Sequence, residues 1–199
     1  VLELMTSVAQ VSDFDARLGR GLARLHRYGN TAFGLDHDNF IGSLPQTNTV
    51  SNTWHSFFRQ HRLAPMVRRA RDRGHLDRRI SSDFDRLFNS LEERVGPDEP
   101  PARLHGDLWG GNLHVTGDGS PALIDPAVYG GHREMDLAMM RLFGGFSTRV
   151  FDAYDEEYPL APGAADRVSL SQLYPLLAHV NLFGAGYVGS VRAALAGFV

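Results

Sequence analysis

A mostly helical α+β fold is predicted by three features of this 199-residue chain. Apolar residues recur at helical spacing through the first half. Between residues 102 and 126 the pattern breaks into short apolar runs separated by turn residues. From Arg133 onward helical spacing returns. The order is helices, a small hairpin-like segment, then more helices, with no internal repeat and no low-complexity stretch.

The elements follow in sequence. Val1 to Met5 alternates apolar and polar residues and reads as the end of a strand. Ser12 or Asp13 can cap a helix that places Phe14, Leu18, Leu22 and Leu25 on one stripe, and Tyr28-Gly29-Asn30 ends it. Residues 31–51, rich in Gly, Asn, Asp and Thr, read as one long loop, a kind that in a compact domain is functional or disordered. Ser51 or Asn52 opens a second helix through Trp54, Phe57, Phe58 and Leu63 to about Arg73. A third covers 81–95, with Phe84, Leu87, Phe88, Leu91 and Val95 on one face. Gly96 to Pro101 is a linker. Ala102 to His105, Leu113 to Val115 and Ala122 to Ile124 are small strands, the last two split by Gly117-Asp118-Gly119. Helices are expected over 134–144, 147–157, 164–180 and 185–196.

Composition narrows the function classes. Hydrophobic residues make up 43% and charged residues 22%, enough for a packed core. The net charge of −3 provides no broad basic field, so neither nucleic acid nor an anionic membrane is an expected partner. No run of about 18 apolar residues is present, so no transmembrane helix is expected. Val1 to Met5 has no positive flank and does not read as a signal peptide. The chain has no cysteine, which excludes disulfides and thiolate metal sites and fits a reducing cytoplasm.

The chemistry is concentrated in Leu104-His105-Gly106-Asp107-Leu108-Trp109-Gly110-Gly111-Asn112, followed by Ile124-Asp125-Pro126. Phosphoryl transfer from ATP requires a carboxylate to align the attacking hydroxyl and take its proton, and oxygen ligands to hold Mg²⁺ against the phosphates. Asp107 is placed to be the base, and Asn112 and Asp125 the metal ligands. A bare Asp and Asn five residues apart would suit an Asx turn equally well. The flanking strands, His105 two residues before the base and the Ile-Asp-Pro segment favour a kinase. His105 is expected to brace the catalytic loop. Asp136, one turn into the helix after Arg133, is expected to accept hydrogen bonds from that loop while favouring the helix dipole.

The chain contains no lysine. In kinases a lysine under a Gly-rich loop of the N-terminal lobe holds the ATP phosphates. Neither precedes residue 104. The fold expected is therefore the C-terminal, large lobe of a protein-kinase-like fold, with the N-terminal lobe missing. Residues 1–5 would be a hinge remnant and 6–199 the lobe, divided into a substrate-side loop (31–51), a catalytic and metal-binding segment (102–126) and a helical remainder (134–199). Such a chain alone is expected to be nearly inactive, with the N-terminal lobe as its missing partner.

His105-Gly106-Asp107 and Asn112 resemble the aminoglycoside phosphotransferase and choline kinase superfamily, which shares the protein-kinase-like fold. The longer string LHGDLWGGN, with IDPAVYGGHREMDLAM (124–139), FGLDHDNFIGSLPQTN (33–48) and LYPLLAHVNLFGAGY (173–187), is similar to the fructosamine kinase (ketosamine-3-kinase) family. That resemblance runs over nearly the whole chain. It implies ATP, Mg²⁺ and a fructosamine- or ribulosamine-type ketoamine, free or on a glycated protein. The sugar is phosphorylated on its 3-hydroxyl, the adduct becomes unstable and the amine is recovered, which is deglycation.

Several residues would then contact substrate. Trp109 offers a platform for the sugar, or else a core aromatic under the loop. Asp36 and His37 on the long loop could bind hydroxyls or an ammonium, or shape the loop. His132 follows the second metal ligand, and His179 lies on a late helix beside Asn181. Two other readings compete: a kinase of the same superfamily with another small-molecule acceptor, and a lobe-less, non-catalytic relative. Joint presence of Asp107, Asn112 and Asp125 weighs against the second.

Overall fold

The computed structural model describes residues 8–199, so the hinge expected over Val1–Met5 lies outside the described residues. Helix α1 (Phe14–Tyr28) buries Phe14, Leu18 and Leu22, as its spacing predicts. It packs along α6 (Thr148–Glu157) so closely that a Cβ on Gly19 would lie 2.2 Å from the Val150 carbonyl oxygen. Asp13 stands at the N-terminus of α1, but its carboxylate pairs with Arg17 at 2.8 Å instead of capping.

The second predicted helix forms as one rod in three pieces. These are α2 (Trp54–Phe57), a π-helical stretch (Phe58–Leu63) and α3 (Ala64–Asp72). Pro65 lacks an N–H and its ring crowds the carbonyl four residues back, and the wider turn just before it absorbs both. Helix α4 (Arg78–Arg94) starts earlier than its apolar stripe suggests, because the Asp77 carboxylate caps it through the Ile80 amide at 2.8 Å.

Two expectations are corrected. Residues 31–51 are not an open loop: they contain an antiparallel hairpin of β1 (Asn39–Ile41) and β2 (Leu44–Gln46), turning at Gly42, whose φ is 56°. The middle segment also contains a strand that the sequence hides. Strand β3 (Ala102–Leu104) pairs antiparallel not with its sequence neighbours but with β6 (Tyr129–Gly131). The two glycines of β6 look like a turn, yet they allow close approach: a Cβ on Gly130 would sit 2.1 Å from the Ala32 carbonyl oxygen. Strands β4 (Leu113–Val115) and β5 (Pro121–Leu123) form the expected hairpin.

The helical remainder comprises α5 (Glu134–Phe143), α6, α7 (Val168–Phe183) and α8 (Val188–Leu195). Short 3₁₀ turns at Ala164–Arg167 and Ala185–Tyr187 replace the starts predicted for the last two. Two cores result. The larger joins α2 to α4 with α7 and α8, and the smaller joins α1, α5 and α6. Among the described residues no helix is long and apolar enough to cross a membrane.

A buried carboxylate ties the cores to the hairpin segment. Asp136, in the first turn of α5, accepts hydrogen bonds from the His105 amide (2.7 Å) and the Gly106 amide (2.9 Å), and its Oδ2 lies 3.1 Å from His26 Nε2 on α1. Tyr154 on α6 completes the chain, with its hydroxyl 2.8 Å from His26 Nδ1. Burial pushes the Asp136 carboxyl up, but His26, His105 and the Gly106 amide outweigh it and hold it below the ordinary aspartate range. A folded pKa below the unfolded value of about 3.9 means that this carboxylate contributes fully above that pH, and its contribution is lost as pH falls through the folded value. Asp136→Asn is expected to cost about 3 kcal/mol at neutral pH. That corresponds to a melting temperature lower by roughly 6–12 °C in a chain of this size. The gap between variant and wild type should narrow below about pH 3.9, which melts followed by circular dichroism from pH 7 to pH 3 would check.

Candidate active site

The loop after β3 carries Asp107 out of the core into a cleft. Its path requires Gly106, where φ is 83° and a Cβ would lie 2.1 Å from the Ala127 carbonyl oxygen. His105 joins this loop to the segment bearing Asp125. The Asp107 amide donates to His105 Nδ1 at 3.3 Å, which leaves Nε2 as the protonated nitrogen, and Nε2–H donates to the Ile124 carbonyl at 2.9 Å. The Ala127 amide returns to the His105 carbonyl at 2.8 Å. His105 and Asp136 therefore hold the loop's backbone, and both side chains are engaged in doing so.

Asp107 is half-buried, and burial pushes its carboxyl up, opposed by His105, His179 and Asn112. Asn112 is buried and turns its amide nitrogen toward Asp107, donating to the backbone oxygen at 2.9 Å and reaching Oδ2 at 3.4 Å. With the nitrogen so engaged, Asn112 Oδ1 remains an acceptor. The Ile124 amide donates to the Asn112 carbonyl at 3.0 Å, which draws the two metal-ligand candidates' segments together. Asp125 is exposed and adopts φ 51°, the one positive φ at a non-glycine residue among the described residues. Backbone held in that region by a charged residue marks a position that the surroundings impose.

An amide oxygen and an exposed carboxylate are hard donors of the kind Mg²⁺ takes. Among the described residues no cluster of three His, Cys, Asp or Glu could cage a metal alone.

The cleft has a volume of about 520 Å³, and Asp107 lies in its wall. Trp109 and His179 line it. Trp109 is 43% exposed because its ring lies flat on the loop: a Cβ on Gly111 would be 2.2 Å from the indole. This rules out the alternative of a core tryptophan. His179 Nδ1–H donates to the Pro175 carbonyl at 2.8 Å, leaving Nε2 as an acceptor in the neutral ring.

The other substrate-contact expectations are not met by the cleft. Asp36 and His37 are exposed, pair with each other at 2.6 Å and do not line it. His132 is buried at 3% exposure, its ring tilted against Trp54 with a centroid separation of 6.1 Å, and burial depresses its pKa. Asn181 is also buried, locking α7 to α3 through the Met66 carbonyl at 3.0 Å.

Residues missed in the sequence do line or hold the cleft. Tyr129 and Tyr174 form part of its wall, with Ile41 and Gly42 from the hairpin turn. Gln46 receives the Tyr174 hydroxyl at 2.5 Å and donates to the Ala127 carbonyl at 3.1 Å, while Asn39 donates to the Val128 carbonyl at 2.8 Å. Asn48 completes the clamp by donating to Asn39 Oδ1 at 2.9 Å. Beneath it Arg62, fully buried, reaches Asn48 Oδ1 at 2.6 Å and lies 3.9 Å from the Tyr129 ring centre. The string FGLDHDNFIGSLPQTN thus contributes a polar clamp on the residues after Asp125. The signal available in advance was the cluster of amide side chains within it.

Comparison with known proteins agrees with this geometry. The sequence profile of the fructosamine kinase family matches residues 1–198. The chain is 41% identical over 197 residues to a probable ketoamine kinase of Lactiplantibacillus plantarum, covering 96% of this chain and 69% of that one. A crystal structure of a fructosamine-3-kinase candidate from Thermobifida fusca superposes with a TM-score of 0.92 at 42% identity, over 98% of this chain and 68% of that one. A choline kinase from Streptococcus pneumoniae shares the fold, with a TM-score of 0.55 at 15% identity, over 100% of this chain and 68% of that one. The chain thus spans about two thirds of the length of the relatives it matches. With the profile match over almost every residue and the identity to ketoamine kinases, the chain belongs to the fructosamine kinase family.

Proposed function

We propose that this protein transfers the γ-phosphoryl group of ATP to a sugar hydroxyl of a ketoamine, acting as a fructosamine or ribulosamine 3-kinase in deglycation. The observation that carries the reading is the junction of Asp107, Asn112 and Asp125, three oxygen-bearing groups on two segments joined by the Ile124 amide and by His105.

In this reading Asp107 receives the sugar hydroxyl and aligns its oxygen with the γ-phosphorus. As the new O–P bond forms and the bond to ADP breaks, the hydroxyl proton passes to the Asp107 carboxylate. Partial burial raises the proton affinity of that carboxylate. Asn112 Oδ1 and Asp125 would hold Mg²⁺, which would neutralise phosphate charge. Trp109 supplies an aromatic face against the C–H edges of the sugar, and His179 Nε2 accepts from a sugar hydroxyl. The ketoamine is either free or carried on a glycated protein.

Incubation of the full-length gene product with ATP, Mg²⁺ and fructosyl- or ribulosyl-lysine should yield the sugar phosphate, detectable by mass spectrometry. Turnover of an aminoglycoside or choline in place of both ketoamines would overturn the assignment. Asp107→Ala should lower kcat by about 10²–10⁴-fold while leaving the melting temperature within a degree or so of wild type. Asp125→Ala should raise the Mg²⁺ concentration needed for half-maximal rate by roughly tenfold or more, since one charged ligand is lost. An unchanged Mg²⁺ requirement would show that the ligand lies elsewhere.

A further inference from the structure

Beyond Asp107 the cleft opens onto an aromatic rim, whose outer rings Phe143, Phe183 and Tyr187 have no part in the transfer step. Phe143 ends α5, His179 and Phe183 lie one turn apart on α7, and Tyr187 follows in the next 3₁₀ turn. The His179 ring centre is 4.7 Å from Phe143, 5.4 Å from Phe183 and 5.0 Å from Tyr187. The Trp109 loop runs alongside, with Gly110 close against Gly144 and Gly145. All five rings border the same cleft as Asp107. Three of them are open to solvent: Phe183 at 66%, Trp109 at 43% and Phe143 at 41% exposure.

Large aromatic side chains exposed together beside a cavity mark a surface for binding. The charge inventory says what kind. Among the described residues no arginine lines this cleft, and the carboxylates that do are Asp107, already given a role, and Asp136, bound by His26 and two amides. A ligand group on the rim therefore meets ring faces and an imidazole. Ring faces are electronegative: they attract a neighbouring ammonium and repel a carboxylate.

We propose that this rim binds the amine substituent of the ketoamine and selects aromatic or apolar substituents over those carrying a carboxylate. The inference rests on the kinase reading above. In a ketoamine only C3, C2 and C1 separate the reacting 3-hydroxyl oxygen from the nitrogen. With the hydroxyl at Asp107, the substituent must leave the sugar site by the adjoining wall, where the rim stands. The substrate's own ammonium gains from the ring faces, and an apolar substituent covers them. A free amino acid adduct places its carboxylate there with no cation to meet it.

The test compares kcat/KM for fructosyl-benzylamine and fructosyl-glycine in wild type and in the double variant Phe143→Ala/Phe183→Ala, whose sites are exposed. Wild type should favour the benzylamine adduct by about tenfold, the value of a few aromatic contacts, and the variant should bring the ratio within about twofold of one. A wild-type ratio near one, or a ratio that the double variant leaves intact, overturns the proposal. If neither adduct is phosphorylated, the kinase reading fails by itself and binding decides the rim. Trp109 is exposed while the other tryptophan, Trp54, is buried, so intrinsic fluorescence reports the cleft. Tighter quenching by the benzylamine adduct in wild type, lost in the variant, supports the rim. Equal dissociation constants for the two adducts overturn it.

Discussion

The Asp136 carboxylate is the point on which the rest of this structure depends. It is buried among groups from four parts of the chain: α1 through His26, α6 through Tyr154 behind that histidine, α5 on which it stands, and the loop amides of His105 and Gly106. A buried anion is tolerated only where donors converge on it, and here the donors are the backbone of the catalytic loop itself. The stability of the smaller core and the position of Asp107 are therefore one constraint. Removing the carboxylate would leave two buried amides and an imidazole unpaired, so the loop cannot relax without cost to the helices.

A second network does for Asp125 what Asp136 does for Asp107. The hairpin of β1 and β2 lays Asn39, Gln46 and Asn48 against the carbonyls of Ala127 and Val128, and Gln46 passes the connection to Tyr174 in the cleft wall. Arg62 supports this clamp from below, held by the Thr47 carbonyl, Asn48 and the faces of Phe57 and Tyr129, with no carboxylate partner among the described residues. A guanidinium can be buried in this way because carbonyl oxygens and ring faces together replace its hydration. The left-handed backbone at Asp125 is then held on one side by the clamp and on the other by His105.

These two networks give the long strings around Asp107 and Asp125 a structural purpose. In FGLDHDNFIGSLPQTN the working residues are the amides, which reach across the fold, while Asp36 and His37 stay at the surface. In IDPAVYGGHREMDLAM, Asp125 and Asp136 bracket a stretch whose glycines let β6 approach residue 32 and pair with β3. In LYPLLAHVNLFGAGY, Tyr174 and His179 face the cleft while Asn181 locks α7 onto α3.

Local pattern was sufficient for the helices, whose stripes bury as spaced, and it placed Asp107 and Asn112 on one loop with Asp125 after a single hairpin. The helix starts at Asp77 and the π turn before Pro65 depend on caps and ring sterics that outweigh periodicity. Only the tertiary structure decided that residues 39–46 form a hairpin, that β6 pairs with β3, and which polar residues face the cleft. The reason is physical: Gln46 bonds Ala127 and Tyr174, 81 and 128 residues away in the chain. No window of sequence carries that separation. The amino-acid sequence determined which chemistry is present and the order of its parts, and the packing determined which side chains that chemistry can use.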